Sequence, residues 1–270
     1  MKRIYLLPVL LLLVLTTAFV ALYDRADVES QNNFSIDRMA AQGVLQTEPQ
    51  YWHVLFDDFD GFPAQTATSV WDSSLVRSDA NVATMAMLDS LGGGLLKITL
   101  PTNGKSNGMH LQANFMSFPL RRSWGNPDSI QVPMVYETRF MTREATQIQI
   151  VAGMTIEASD FGATVDGIVF SKDDQAATLT GIIRFAAGDS SYSTASLGTI
   201  SKDTWYILRI EWNGRYARFY VNGVQKGQLN TRQYDSTFGA NGFKPTFYVS
   251  AGDSVAHSVY LDYIKAKQRR

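Results

Sequence analysis

The sequence predicts an all-β domain, a sandwich of two antiparallel sheets over residues 51–267, preceded by an N-terminal hydrophobic helix. From Trp52 onward, short runs rich in Val, Ile, Thr, Tyr and Phe alternate with Gly, Asn and Asp clusters, and no long helical period interrupts them. Asn213-Gly214 and Asn222-Gly223 each stand between two such runs, and Asn-Gly favours the type I′ turn of a β-hairpin. With 45% of its 270 residues hydrophobic and 18% charged, the chain can bury one large core.

The elements follow in chain order. Met1-Lys2-Arg3 precedes an uncharged run from Ile4 to Tyr23, broken only by Pro8 and Thr16-Thr17. About 20 apolar residues are enough to cross a bilayer. The basic start predicts an N-terminus left in the cytoplasm and a body delivered outside it. Thr16-x-Ala18 and Phe19-x-Ala21 are imperfect cleavage sites, so residues 1–23 read as a signal peptide or a membrane anchor. Either way the body is extracytoplasmic, anchored by the N-terminus or secreted. Residues 24–50 read as a polar tether.

Strands are expected at 54–59, 82–88, 95–100, 109–115, 132–141, 147–156, 167–171, 178–185, 206–212, 216–221, 246–251 and 258–266, with 268–270 as a basic tail. The two Asn-Gly pairs specify a three-stranded meander. Pairing across Asn213-Gly214 sets Ile210 opposite Ala217, Leu208 opposite Phe219 and Tyr206 opposite Val221, so one face is apolar. The other carries Arg209, Glu211, Tyr216, Arg218 and Tyr220, which suits either a sugar-binding sheet or an ordinary solvated face. Trp205 and Trp212 are expected in the core.

Composition excludes several functions. A net charge of -1 lacks the basic excess that nucleic acid demands. The one basic cluster, Lys265, Lys267, Arg269 and Arg270, reads as a solvated tail or an attraction to anionic surfaces. Without cysteine there is no disulfide, thiolate nucleophile or zinc-thiolate site. His53, His110 and His257 lack metal-ligand spacing and read as exposed or hydrogen-bonded singletons. No Gly-x-Ser-x-Gly elbow or P-loop occurs.

Glu211-Trp212-x6-Phe219-Tyr220-Val221-Asn222-Gly223 resembles a stretch of the family 16 glycoside hydrolases, in the concanavalin A-like superfamily that also holds laminin G-like modules. Phe56-Asp57-Asp58-Phe59 is similar to the opening strand of that superfamily, and Gly94-Leu-Leu-Lys-Ile98 to an early strand. Val135-Tyr-Glu137-Thr-Arg139-Phe140 is similar to an aromatic-x-Glu-x-Arg strand, and Val259-Tyr-Leu-Asp262-Tyr-Ile264 to the closing strand. The resemblance covers nearly all of 51–267 and implies a jelly roll. It also implies a structural Ca²⁺ on Asp262, with main-chain carbonyls near Asp58 and Gly93 as further ligands.

Those hydrolases carry Glu-x-Asp-x-Glu on one strand, because retaining cleavage needs two carboxyls about 5–5.5 Å apart. The matching stretch here reads Val165-Asp166-Gly167-Ile168-Val169-Phe170-Ser171, leaving Asp166 as the single catalytic candidate. Glu157 with Asp160 reads as a solvated turn pair, and Asp57, Asp58 and Asp60 as strand-end polarity.

Sugar binding stacks apolar sugar faces on aromatic rings and fixes hydroxyls with polar side chains. The loop Arg121-Arg-Ser-Trp124-Gly-Asn126-Pro-Asp128 has that mixture. Trp124, Arg121 and Asn126 are therefore ligand candidates, followed by Tyr220 and Arg218. The sequence favours a non-catalytic carbohydrate- or surface-binding module. The alternatives are a structural component of an envelope or virion assembly, meeting other proteins, and a divergent hydrolase acting on β-glucan-like polysaccharide.

Overall fold

The structure, a computed structural model, describes residues 52–59, 71–76, 83–89, 94–102, 108–113, 118, 133–156, 166–185, 190–231 and 242–269. The hydrophobic segment at 4–23, the tether, and the ligand candidates Arg121, Trp124 and Asn126 lie outside them, as do Glu157 and Asp160.

The described residues contain strands and no helix. In chain order these are β1 (Trp52–Asp57), β2 (Trp71–Val76), β3 (Thr84–Asp89), β4 (Gly94–Leu100), β5 (Gly108–Ala113), β6 (Met134–Thr142), β7 (Ile148–Thr155) and β8 (Gly167–Lys172). There follow β9 (Thr178–Phe185), β10 (Ser190–Ser193), β11 (Gly198–Thr199), β12 (Trp205–Trp212), β13 (Tyr216–Val221), β14 (Val224–Asn230), β15 (Lys244–Ala251) and β16 (His257–Arg269). One antiparallel sheet, A, runs β14-β13-β12-β6-β16-β4-β3, with β1 also paired to β16. The other, B, runs β10-β9-β8-β7-β15-β5-β2, with β11 on β9.

Every expected strand is present. The isolated runs for β2, β10 and β11 are additional, because Ser-rich segments such as Ser190–Ser193 have little apolar alternation to read. The basic tail is corrected: β16 continues to Arg269, so Lys265 and Lys267 are strand residues paired with β6 and β1.

The meander forms with a different register. Ile210 pairs with Phe219, Leu208 with Val221 and Trp212 with Ala217, a slide of two residues from the expected pairing. The cause is at Asn213, whose Oδ1 accepts from the amides of Arg215 and Tyr216, so Asn213 ends the strand and the reversal passes through Gly214 at φ 91°. Asn222 (φ 50°) and Gly223 (φ 79°) do occupy the two central positions of a type I′ turn. Side chains alternate with period two, so a slide of two leaves every residue on its own face. Trp212 is buried as expected, but Trp205 lies on the outer face.

The core lies between the sheets. Phe140 and Tyr136 of sheet A and Phe170, Phe247 and Ile150 of sheet B are all fully buried. The Tyr136 hydroxyl donates to the Thr246 carbonyl at 3.1 Å, tying β6 to β15. Phe219 meets Phe170 edge-on at 5.2 Å, over Gly181, where a Cβ would fall 2.8 Å from the Phe219 ring. Asp57 accepts from the Trp71 indole at 2.6 Å and the Phe59 amide at 2.7 Å, which fixes its role as structural.

The sheets differ in their outer faces. β4, β6 and β12 alternate buried and half-buried residues, so the outer face of sheet A meets water. β5 and β8 are buried at every residue, and Val151, Val169 and Tyr248 make a second apolar cluster on the outer side of sheet B.

Candidate functional site

The outer face of sheet A is a set of rows set by strand register. One row passes from Tyr220 through Arg209, Glu137 and Lys265 to Phe56, across β13, β12, β6, β16 and β1. Beside it runs Arg218, Glu211, Val135, Lys267 and Val54. Adjacent strands lie about 4.8 Å apart, so four steps separate Tyr220 from Phe56 by about 19 Å.

Hydrogen bonds join the rows. The Tyr220 hydroxyl donates to Glu211 Oε2 at 2.9 Å, and Arg209 Nη2 donates to Glu211 Oε1. The Arg209 guanidinium also lies 5.7 Å from the centre of the Tyr220 ring. The Tyr263 hydroxyl donates to Glu137 Oε1 at 2.9 Å, and its ring lies 5.9 Å from Phe56. Arg218 Nε donates to Gln228 Oε1 at 3.2 Å. Partial burial, reinforced by Glu211, pushes the Tyr220 phenol above its ordinary pKa. Burial together with the Glu137 carboxylate does the same to Tyr263. Both phenols stay protonated at neutral pH and hold their carboxylates in place.

Next to these rows, Arg139 donates to Asp262 Oδ2 at 2.7 Å and stacks over Trp205 at 4.5 Å. Asp262 sits at a β-bulge: Leu261 pairs with Phe140 and Tyr263 with Arg139, so Asp262 is the extra residue. The bulge turns both Asp262 and Tyr263 outward while Leu261 and Ile264 remain in the core. The guanidinium occupies the carboxylate that the resemblance would give to Ca²⁺. Among the described residues no group of three His, Cys, Asp or Glu side chains could hold a metal, and Gly93 lies outside them.

No protein-family model and no curated protein sequence matches the chain. Solved structures do match its backbone. A family 16 glycoside hydrolase of the Bacteroides ovatus mixed-linkage glucan locus superimposes with a TM-score of 0.58 at 11% identity, over 78% of this chain and 99% of that one. Bacillus licheniformis β-glucanase gives 0.52 at 12% identity, over 82% and 99%. A protein of unknown function from Shewanella oneidensis MR-1 gives 0.53 at 14% identity, over 84% and 91%. The fold is the concanavalin A-like jelly roll.

Such identities fix the fold of this jelly roll and leave its chemistry to its own residues. A Glu-x-Asp-x-Glu strand would need three alternate side chains on the outer face of sheet B. On β8, Ile168 and Phe170 point into the main core and Val169 points outward, so the outward positions are Gly167, Val169 and Ser171. Opposite them, β7 offers Val151, Gly153 and Thr155. Neither strand presents a carboxylate on that face. Asp166 is buried one residue before β8, and its carbonyl accepts from the Ile156 amide at 3.0 Å.

His110 and His257 are structural. His110 is buried edge-on to Tyr248, and His257 Nε2 lies 2.7 Å from Asp253 Oδ1. His110 is therefore neither exposed nor solvated, because β5 is covered on both sides. Of the sequence candidates, Tyr220 and Arg218 fall within the rows. Glu137, Arg139, Tyr263, Phe56 and Lys265 join them as residues that sequence reasoning missed. The alternation in Val135-Tyr-Glu137-Thr-Arg139 does signal a polar face on β6; its placement beside β12 is a tertiary fact.

Proposed function

We propose that the protein is a non-catalytic carbohydrate-binding module, delivered outside the cytoplasm by its N-terminal hydrophobic segment, that binds its glycan on the outer face of sheet A. The observation that carries this reading is the row bounded by Tyr220 and Phe56, with charged hydrogen-bonding groups between two aromatic rings. Rings take the apolar faces of sugars, and preorganised Arg and Glu groups take hydroxyls. The absence of carboxylates from the outward positions of β7 and β8 supports binding without hydrolysis. The glucanase names of several structural neighbours are consistent with a glycan as partner.

Glycan-array binding followed by calorimetry tests this. Tyr220→Ala should weaken binding about tenfold or more with little change in Tm, since Tyr220 is only half-buried. Unchanged affinity in Tyr220→Ala would sink the assignment of this face, and binding lost in Trp124→Ala instead would move the site to the 121–128 loop. Release of reducing ends from β-glucan, abolished by Asp166→Asn, would establish the hydrolase reading in its place.

A further inference from the structure

We infer that sheet A carries a second docking surface, apart from the glycan row, and that its occupant is an extended proline-rich peptide of a partner protein with an acidic residue beside its prolines. Strand register sets this surface out in one line. Trp205 of β12 pairs with Met141 of β6, Met141 with Tyr260 of β16, and Tyr260 with Lys97 of β4. Their chain neighbours Tyr206, Phe140, Val259, Leu261, Leu96 and Ile98 point into the core, so these four face outward. All four are half-buried and keep part of their surface for a partner. Arg139 stacks on Trp205 at 4.5 Å and Arg143 lies 5.5 Å from the centre of the Tyr260 ring, which fixes both rings.

The spacing of the rings selects the ligand. Trp205 and Tyr260 stand two strand steps apart, about 9.6 Å, with Met141 between them. A polyproline II helix repeats every three residues, about 9.3 Å, so prolines at i and i+3 meet the two rings in succession. Its backbone makes no internal hydrogen bonds and offers its carbonyls to donors. The Trp205 indole N–H donates to nothing among the described residues and is available to such a carbonyl. A sugar chain would need polar groups to fix its hydroxyls, and the carboxylates beside this line are engaged: Asp262 by Arg139 at 2.7 Å and Asp203 by Arg143 at 2.8 Å. Those two pairs are neutral. Lys97, one strand beyond Tyr260 and in no ion pair among the described residues, is the charge that ends the line, and it calls for an acidic residue just past the second proline.

Calorimetry on the full chain tests this with a polyproline peptide ending in Asp-Asp, a Gly-Ser peptide of equal length and the same ending, and laminarin. The polyproline peptide should bind and the Gly-Ser peptide should not. Trp205→Ala and Tyr260→Ala should each weaken the polyproline peptide about tenfold or more. Trp205→Phe, which keeps a ring in place and loses the indole N–H, should weaken it about threefold at unchanged Tm. Lys97→Gln should weaken it by a similar factor and remove its salt dependence. A polyproline peptide that is ignored, bound no better than the Gly-Ser peptide, or bound as tightly by the Trp205 and Tyr260 variants would overturn the inference. Laminarin binding lost in Trp205→Ala, with polyproline ignored, would assign this line to the glycan surface, overturning the inference and leaving the glycan reading standing.

Discussion

Lys172 is fully buried at the end of β8, where its ammonium donates to the carbonyls of Ile148 and Asp173. Burial lowers its pKa to about 8, with Glu144, Asp174 and Asp173 acting in the opposite direction. A lysine with a folded pKa below its unfolded value destabilises the fold below the folded pKa, and the cost is relieved as pH rises between the two. The stability of the wild type relative to Lys172→Met should therefore increase between pH 8 and about 10.5, by up to about 3 kcal/mol. Urea unfolding at stepped pH measures the difference, and a gap that stays constant would show that the ammonium is not penalised. Glu144 carries the opposite sign. Amides and the hydroxyl within Ala145–Gln147 hold its carboxyl near a pKa of about 2, so its contribution is full above the ordinary carboxylate pKa of 4.5 and is lost progressively as pH falls from there to about 2. Neither effect could be read from sequence, since Lys172-Asp173-Asp174 looks like a solvated turn until β8 is placed between β7 and β9.

At the level of the strand, the bulge in β16 joins two halves of opposite phase. Val259 and Leu261 face the core before it, and Ile264 and Ala266 after it. Removing Asp262 altogether would leave Leu261, Tyr263 and Ile264 in regular alternation, with every apolar residue on its present side. The deletion is expected to fold with a loss of about 1 kcal/mol, chiefly the Arg139 contact and the local twist, whereas deleting Lys265 should exchange core and surface over the rest of the strand and prevent folding. Thermal melts of both variants decide this, and a deletion of Asp262 that failed to fold would refute the phase argument. Strand existence was legible in the sequence because apolar alternation is local. The register of β12 with β13 was not, because Asn213 spends its side chain on capping and not on a left-handed turn, a choice that composition does not reveal.

For the molecule as a whole, the jelly roll was legible from the order of its strand motifs, and the lack of a Glu-x-Asp-x-Glu strand from residues 165–171. The proposed binding face was half legible. Tyr220, Arg218, Arg209 and Glu211 sit on one local hairpin, while Glu137, Lys265 and Phe56 reach it only through long-range pairing of β6, β16 and β1. Delivery outside the cytoplasm belongs to this scale too. The basic start and uncharged run at 4–23 lead us to expect the body to be digested by protease added to intact spheroplasts or recovered from the medium. A body protected from protease until lysis would count against it. The two sheets also divide the chain's freedom to vary. On β5 and β8 of sheet B a substitution on either side disturbs packed neighbours, whereas alternate positions of β6 and β12 in sheet A can change without touching the interior. A lineage could therefore exchange one ligand for another by rewriting a single surface, keeping its architecture while its recognition drifts.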